Sequence, residues 1–339
     1  MCSPICSIII PTYNRRRLLA EAVGSVLNQA GPPPVELIIV DDGSTDDTPD
    51  YLAKLTQSAA IRAGAAATPS CAVTVLRIPH CSMPGAVRNR GVELARGEYI
   101  AFLDSDDLWL SDKLAVQLKL HQAHPQLALS HTREHWVRGH KLIKQPPPYR
   151  FPTGTSLPEG DVFAAALEKC MIGPSTAMIK RSVFQELGGF REDIQVAEDY
   201  EFWLRVTAQH EVGFLTEPHI IKRAGHSAAE GEQLSERYGR IELFRLRALA
   251  AFLTTPGLEP ARLQLAHNTW RDKCLIYAGG REKRGYTQQA AELRELAERP
   301  PGVRPPGVPA RSPSEAPPPG AQAPPELPQA LQFFPEHLG

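Results

Sequence analysis

Four short apolar segments near the start of the chain are predicted to be strands of one sheet. They are rich in β-branched residues and lack the alternation of a half-exposed strand, which is typical of strands covered on both faces. The segments span residues 5–10 (ICSIII), 35–40 (VELIIV), 72–78 (AVTVLRI) and 98–103 (EYIAFL). Two intervening segments, Arg15 to Gln29 and Pro84 to Arg96, carry apolar residues at the spacing of an amphipathic helix. This alternation predicts an α/β fold with a parallel sheet and right-handed crossovers.

The pattern weakens outside these elements. The Ala-rich stretch 57–71 is interpreted as an extended surface loop, and residues 145–158, with five prolines, mark a boundary between a nucleotide-type half and a mixed half. Prolines also make up twelve of the twenty-nine residues 300–328, which predicts a disordered tail because proline cannot continue a packed helix or central strand. Helical patterns lie between these stretches, at residues 231–253, 261–278 and 287–299.

Composition restricts the class of protein. Thirty-seven basic against thirty-eight acidic residues leave a net charge of −1, so no global field attracts nucleic acid. The six cysteines show no CxxC pair and no zinc spacing, and are interpreted as reduced thiols. No apolar run reaches the roughly 20 residues of a membrane helix. The start, MCSPICSIIIP, lacks the features of a signal peptide, so we expect a cytoplasmic location.

Acidic residues follow two of the predicted strands. The segment FLDSDDLW places Asp104, Asp106 and Asp107 after the fourth strand, and VDDGSTDDT places Asp41 and Asp42 after the second. Carboxylates this close repel one another and lose hydration unless a cation joins them. Mg²⁺ and Mn²⁺ prefer such oxygen ligands together with substrate phosphates, so the pattern predicts a metal and diphosphate site at the carboxyl ends of the strands. The alternative is a helix cap at Ser111 or Asp112 preceded by solvated acids.

A third acidic pair precedes a predicted helix in the second half of the chain. In VAEDYEFWLRV, residues 196–206, Tyr200, Trp203 and Leu204 fall on one helical face. Glu198 and Asp199 then lie in the first turn, where the helix dipole favours anions. A carboxylate held there is a candidate general base. The alternative is an ordinary charged first turn.

Four segments together resemble the inverting family 2 glycosyltransferases of the GT-A fold. They cover residues 5 to about 235, in the order SIIIPTYNRRRLLAEAVGSVLNQ, ELIIVDDGSTDDT, GAVRNRGVELARGEYIAFLDSDDLW and EDYEFWLR. The resemblance implies a Rossmann-like, mostly parallel sheet flanked by helices. It divides the chain into a GT-A domain (1–230, with a nucleotide-binding half 1–130 and an acceptor and base half 131–230), a helical extension (231–299) and the Pro-rich tail (300–339).

The resemblance also implies roles for individual residues on the donor side. The nucleotide of the donor would be met by Pro11, Thr12, Tyr13, Asp41 and Asp42, with the division between the two aspartates left open. Arg88 and Asn89 would face the donor across the site, although a solvated helix charge is an equal alternative for Arg88. Asp104 would touch the ribose, with Ser105 beside it.

Metal and catalytic roles are implied in the same way. Asp106 would bind Mg²⁺ or Mn²⁺ on the diphosphate, with Asp107 supporting it. Asp199 matches the position of the base. His226 would approach the metal or the phosphates from a loop, the alternative being an exposed histidine. The family often has an acidic FDE where this chain has Phe190, Arg191 and Glu192, so acceptor preferences are not transferable.

The implied function is metal-dependent, inverting transfer of a sugar from a nucleotide-sugar, expected to be UDP-linked, to a glycan or lipid-linked acceptor in cell-envelope or exopolysaccharide assembly. Basic residues near the C-terminus suggest contact with acidic lipid at the inner membrane face. Two rivals are a haloacid-dehalogenase-type phosphohydrolase, which also uses a DxD after a strand, and a catalytically silent nucleotide-sugar-binding module. The phosphohydrolase places its acids on the first strand, whereas here they follow the fourth.

Overall fold

The predicted strand and helix alternation builds the first half of the fold. The computed structural model describes residues 3–31, 34–65, 71–139, 141–144, 159–224 and 241–301. Its first elements are β1 (Cys6–Thr12), α1 (Arg16–Leu27), β2 (Val35–Asp41), α2 (Thr48–Ala65), β3 (Cys71–Arg77), α3 (Pro84–Glu93) and β4 (Tyr99–Phe102). All four predicted strands and both predicted helices are therefore confirmed, with ends shifted by up to three residues.

Shorter elements follow and complete the same unit. They are β5 (Leu108–Trp109), α4 (Lys113–Ala123), β6 (Leu129–Arg138), β7 (Lys141–Ile143), α5 (Phe163–Glu168), β8 (Met178–Lys180), α6 (Arg181–Glu186), α7 (Glu198–Thr207) and β9 (Val212–Arg223). A 3-10 turn, Pro174–Thr176, precedes β8. The chain divides into two compact units, Met1–Gly239 and Arg240–Gly339, and all of these elements belong to the first.

The strands form one mixed sheet. Their order is β3, β2, β1, β4, β8, β6, β9, β5, with β7 paired to β6. The first four strands are parallel, as predicted, whereas β8 is antiparallel to both β4 and β6, and β5 is antiparallel to β9. Antiparallel pairs need no crossover helix, which suits the short elements of this second half. Thr12 at the end of β1 is in register with Asp41 at the end of β2, so the predicted site residues converge at one edge.

The core lies on both faces of the parallel strands. Alternate residues of β1 point to opposite sides: Ile9 joins a cluster with Phe184 and Phe202 of α6 and α7, whereas Ile8 and Ile10 join one with residues of α1 and α4. Every residue of β2 is buried. The continuous apolar runs in the sequence are the direct consequence of this double coverage.

One predicted loop is wrong and two predicted segments fall outside the described residues. Helix α2 runs through to Ala65, so most of the stretch 57–71 is helical and β3 begins at its last residue. Alanine has the highest helix propensity, which outweighs the weak apolar periodicity used for the prediction. The boundary segment 145–158 and the tail beyond residue 301 lie outside the described residues, as does the predicted domain boundary at residue 230.

The described part of the second unit, residues 241–301, contains three helices, α8 (Ile241–Leu253), α9 (Pro260–Glu282) and α10 (Thr287–Glu298). The helical patterns predicted at 261–278 and 287–299 are confirmed. Ala278 of α9 packs against Ala290 and Leu293 of α10, and the Trp270 indole N–H donates to the Leu296 carbonyl at 3.0 Å. Within the described ranges, no helix is both long enough and apolar enough to cross a bilayer.

Gly97 lies where the chain enters β4, against the backbone of β1. A Cβ at this position would be 2.6 Å from the Ser7 amide nitrogen and 2.8 Å from the Cys6 carbonyl carbon. We therefore expect Gly97→Ala to lower the free energy of unfolding by about 1–3 kcal/mol through overpacking. Urea denaturation monitored by circular dichroism measures the change.

Gly24 provides the matched control. It lies inside α1, and a Cβ there would have no heavy atom within 4 Å. Gly24→Ala should therefore stabilise the protein by about 0.5–1 kcal/mol through helix propensity. Equal effects of the two substitutions would contradict the close approach of Gly97 to β1.

Candidate functional site

Three carboxylates meet on the turn that follows β4. Each of Asp104, Asp106 and Asp107 offers an oxygen atom, and these atoms lie within 4.8 Å of one another. The Asp107 amide donates to the Asp104 carbonyl at 3.0 Å, which closes the tight turn and reverses the chain into β5. Asp106 and Asp107 are buried, whereas Asp104 is half-buried. The structure thus confirms that the acids are clustered and excludes a row of solvated acids before a helix cap.

Ser175, on the 3-10 turn before β8, holds this acidic turn in place. Its hydroxyl donates to Asp107 Oδ2 at 2.7 Å and accepts the Asp104 amide at 3.1 Å. Its carbonyl accepts the indole N–H of Trp109 at 3.0 Å. Burial nevertheless raises the pKa of Asp107 well above its usual range. No motif in the sequence marks Ser175 as a partner of residues about seventy positions away.

Positive side chains from three other elements surround the acids. Arg15 Nη1 lies 2.6 Å from Asp106 Oδ2, and Arg88 Nη2 lies 2.7 Å from Asp104 Oδ1. Arg223, at the end of β9, donates from its backbone to Asp107 Oδ1 at 3.3 Å. Although burial lowers the pKa of the neighbouring Lys222, the carboxylates of Glu134 and the acidic turn raise it overall, so its ammonium stays charged. Sequence reasoning missed Arg15 and Lys222.

The acidic turn fits a hard divalent cation. All of its donor atoms are carboxylate oxygens on one short turn, the ligand type that Mg²⁺ and Mn²⁺ prefer. Asp106, the predicted metal ligand, lies between the other two acids in sequence and within reach of both. His226, the second predicted ligand, lies outside the described residues.

The predicted nucleotide side lies at the neighbouring ends of β1 and β2. The hydroxyl of Thr12 and the Oδ2 atom of Asp41 are buried, and neither has a hydrogen-bond partner among the described residues. Asp41 Oδ1 accepts the Ser44 amide at 3.0 Å, and its Oδ2 lies 3.5 Å from the Arg77 guanidinium. Unmet hydrogen-bonding capacity in buried groups is costly and marks places where a ligand can bind. Pro11, half-buried, lies immediately before Thr12.

Tyr13 and His80 form an exposed aromatic pair beside these groups. Their rings are stacked, with centroids 4.0 Å apart. Asp42 orients the pair, because its Oδ2 lies 2.9 Å from His80 Nδ1 while its two oxygens accept the amides of Cys81 and Ser82. The carboxylate predicted to contact the nucleotide is therefore engaged by the loop after β3. His80 was missed because nothing in its local sequence distinguishes it from a solvated loop histidine.

Backbone strain concentrates around the same edge of the sheet. Among the described residues, three non-glycine residues have positive φ: Asn14 at 48°, Ser82 at 56° and Ala197 at 68°. Asn14 follows Tyr13, and Ala197 precedes the acidic pair of α7. Ser82 lies in the loop between β3 and α3, here called the His80 loop. Such residues cost about 1–3 kcal/mol each and persist where the surrounding structure fixes them, often at functional sites.

Helix α7 presents the third acidic pair at its first turn, as predicted. Asp199 is half-buried; its Oδ1 accepts the Tyr200 amide at 2.7 Å, and its Oδ2 lies 3.8 Å from the Cys170 thiol. Glu198 is buried and bonded to Arg88 Nη1 at 2.6 Å. Burial raises the pKa of Glu198 to about 7, against the opposing charge of Arg88. Of the two acids, Asp199 is therefore the one that a substrate can reach.

Three further predicted residues have defined positions. Arg88 is buried between two carboxylates, so a solvated helix charge is wrong for it. Asn89 points to the segment at Phe190, donating to its carbonyl at 2.8 Å and accepting its amide at 3.1 Å. Ser105 is buried on the acidic turn. Whether these side chains contact a donor stays a prediction.

Comparison with known proteins places this site in context. Residues 7–188 match the family model described as glycosyl transferase family 2. The chain is 34% identical over 207 residues to the uncharacterized glycosyltransferase RC0461 of Rickettsia conorii, covering 61% of this chain and 31% of that protein. It therefore spans about a third of the length of that relative.

Two further matches are a second curated relative and a solved structure. The chain is 29% identical over 206 residues to the UDP-Glc:alpha-D-GlcNAc-diphosphoundecaprenol beta-1,3-glucosyltransferase WfaP of Escherichia coli, covering 60% of this chain and 71% of that protein. The crystal structure of S. aureus TarS 1-349 in complex with UDP-GlcNAc superimposes with a TM-score of 0.59 at 16% identity, over 87% of this chain and 92% of that one. This likeness confirms the predicted GT-A fold.

Lys113 packs against Trp109, which is linked to the acidic turn through Ser175. It is fully buried at the start of α4, with its ammonium 3.9 Å from the centroid of the Trp109 ring and 2.6 Å from Gln117 Oε1. Trp109 in turn donates to Ser175, which holds Asp107. Burial lowers the pKa of Lys113 from 10.5 to about 7.

This buried amine predicts a pH-dependent stability. Between pH 7 and 10.5 an unfolded lysine keeps a proton that the folded Lys113 releases, so stability rises with pH. Relative to Lys113→Met, the wild-type free energy of unfolding should rise by up to about 1.4 kcal/mol per pH unit in this window. Denaturant titrations at several pH values measure the difference. The exposed Lys119 on the same helix is the control: Lys119→Met should leave the profile unchanged.

Proposed function

We propose that this chain, which belongs to glycosyl transferase family 2, transfers a sugar from a UDP-linked donor to a glycan or lipid-linked acceptor. The transfer is proposed to invert the anomeric carbon. One observation carries the proposal. The acidic turn after β4 and the acidic first turn of α7 face one another across Arg88, which bonds to both. The proposed leaving-group site and the proposed base thus lie on opposite sides of Arg88.

The donor is proposed to bind along the carboxyl ends of the parallel strands. Among the described residues, the Thr12 hydroxyl is buried without a hydrogen-bond partner, and Asp41 Oδ2 has only the Arg77 guanidinium 3.5 Å away. Tyr13, stacked on His80, has an exposed ring that would stack on a base. His80 is stacked on Tyr13 and is held by Asp42. Asp104 and Ser105, on the acidic turn, would meet the ribose. Arg15, Arg88 and Lys222 would offset the charge of the donor phosphates.

A divalent cation, Mg²⁺ or Mn²⁺, is proposed to be held by Asp106, with Asp104 and Asp107 beside it. The resemblance adds His226 as a second ligand, which lies outside the described residues. When bound, the cation supplies electrostatic stabilisation of the charge on the departing diphosphate. Ser175 contributes by fixing the turn, because its hydroxyl bonds to both ends of it. The protein residues thereby keep three carboxylates converged although these repel one another.

Asp199 is proposed to be the general base. Its carboxylate would accept the proton of the acceptor hydroxyl while the acceptor oxygen bonds to the anomeric carbon. The bond from that carbon to the diphosphate oxygen breaks, and its electron pair leaves with the nucleoside diphosphate. Attack from the face opposite the leaving group inverts the anomeric centre. Arg205, on the same helix, contributes no charge to this step because it is paired with Glu201.

The acceptor class is supported by the relatives. The name of the Escherichia coli relative WfaP states a UDP-linked donor and a lipid-linked, diphosphoundecaprenol acceptor. A lipid-linked acceptor would bring this chain to a membrane surface, in cell-envelope or exopolysaccharide assembly. The phosphohydrolase alternative is not favoured, because the family match covers the acidic turn and the acids follow the fourth strand. A silent binding module would not need an accessible Asp199.

Two substitutions separate donor binding from catalysis. Asp106→Ala should abolish both turnover and Mn²⁺-dependent binding of UDP, because it removes the proposed metal ligand. Asp199→Asn should lower turnover by about 10²–10⁴-fold, because it removes the base, yet leave UDP binding within error of wild type. Calorimetry with UDP and Mn²⁺ measures binding, and release of UDP from nucleotide-sugars in the presence of acceptor measures turnover.

Asp112→Asn is the matched control. Asp112 lies outside the acidic turn and pairs with His219, so both readouts should stay near wild type. Full turnover of Asp199→Asn would show that the assigned base is wrong. Unchanged binding of UDP and Mn²⁺ to Asp106→Ala would remove the metal from the proposal.

A further inference from the structure

Arg88 joins two parts of the site that are far apart in the sequence. Its Nη1 atom bonds to Glu198 Oε1 at 2.6 Å and its Nη2 atom to Asp104 Oδ1 at 2.7 Å. The guanidinium is buried, and although burial lowers its pKa, the charges of Asp104 and Glu198 raise it overall, so the cation is permanent. One positive charge is thus shared between the acidic turn and the first residue of α7.

The two helices that carry this bridge approach closely beside it. A Cβ added to Gly85, in the first turn of α3, would be 3.0 Å from Glu198 Cγ and 3.0 Å from Phe190 Cβ. The start of α7 also follows Ala197, whose φ is positive. Further along the helix, the Glu201 and Arg205 pair and the buried Trp203 fix α7 in the core. A change in the ion pair between Arg88 and Glu198 therefore acts on the first turn of α7.

We propose that Arg88 is a positioning residue that couples donor binding at Asp104 to the placement of Asp199. The inference rests on the proposed function, in which Asp104 meets the donor and Asp199 is the base. When Asp104 contacts a bound donor, its ion pair with Arg88 weakens. Glu198 then becomes the main partner of Arg88. Since Glu198 and Asp199 are adjacent, the base moves with that change. Coupling of this kind is reciprocal, so an ordered base also favours the donor.

The alkylation rate of Cys170 can report the position of the Asp199 carboxylate. Its thiol is reduced, half-buried and 3.8 Å from Asp199 Oδ2. Movement of Asp199 alters the access and charge around the sulfur, and both affect its alkylation rate. Cys71, on β3, and Cys274, in the second unit, serve as internal references because burial raises their pKa values to about 11 and about 12.

The experiment follows alkylation of Cys170 by iodoacetamide with peptide mass spectrometry. In wild type, UDP with Mn²⁺ should change the Cys170 rate by about fivefold or more, with the rates at Cys71 and Cys274 unchanged. In Glu198→Gln the same ligand should still bind, as measured by calorimetry, yet change the Cys170 rate by less than about twofold. Arg88→Lys, which keeps the charge but cannot fork between two acids, should lose the response as well.

A ligand-free arm tests the bridge itself. Asp104→Asn releases Arg88 from the acidic turn, so the Cys170 alkylation rate should differ from that of wild type. When Glu198→Gln is already present, adding Asp104→Asn should cause no further change in that rate. Asp112→Asn is the control, because Asp112 lies outside the acidic turn and pairs with His219. Its response to UDP and Mn²⁺ should match that of wild type.

The outcomes are distinct. A ligand response that persists in Glu198→Gln would mean that the donor shields Cys170 directly, and it would overturn the coupling. Additive effects of Asp104→Asn and Glu198→Gln on the labelling rate would do the same. Absence of UDP binding to wild type would instead defeat the proposed function, and the ligand-free arm would still report on the bridge.

Discussion

Charge balance around the acidic turn after β4 constrains most of the surrounding structure. Three carboxylates converge there, two of them buried, and unpaired buried charge is costly, so a carboxylate must either be offset by a cation or be held protonated, as burial favours for Asp107. The cations come from other elements: Arg15 precedes α1, Arg88 lies on α3, and Lys222 is the penultimate residue of β9. The balance therefore exists only when β1, α3 and β9 are all in place, which links the electrostatics of the site to complete folding of the unit.

The two halves of the sheet contribute different groups to the proposed site. The parallel half brings the ends of β1, β2 and β4 together, so it holds the groups suited to a nucleotide and its phosphates. The mixed half supplies Ser175 and helix α7. An aromatic cluster of Phe184, Phe190, Phe202 and Trp203 packs α7 against the parallel strands. Because that cluster is buried and apolar, it holds α7 in the core independently of the polar contacts at its first turn, above all the one with Arg88.

Local strain follows the same division. The positive φ values of Asn14, Ser82 and Ala197 lie where β1, the His80 loop and α7 reach the site. In each case the neighbouring side chain, Tyr13, His80 or Glu198, has a defined partner. The energy of the strained backbone is offset by the packed elements on either side, and the result is a set of side chains with fixed partners at the proposed site.

The sequence by itself determined the elements of the first half, the convergence of acids at strand ends and the acidic first turn of α7, because these depend on local periodicity and on the geometry of parallel strands. It failed at residues 57–65, where alanine propensity outweighed a weak pattern. Only the tertiary structure decided the partners of the acids: Ser175 on Asp107, Arg88 between Asp104 and Glu198, and His80 on Asp42. These contacts join residues 16 to 110 positions apart. No spacing rule applies across such distances, since the pairing depends on how strands and helices pack and on which charges remain to be balanced.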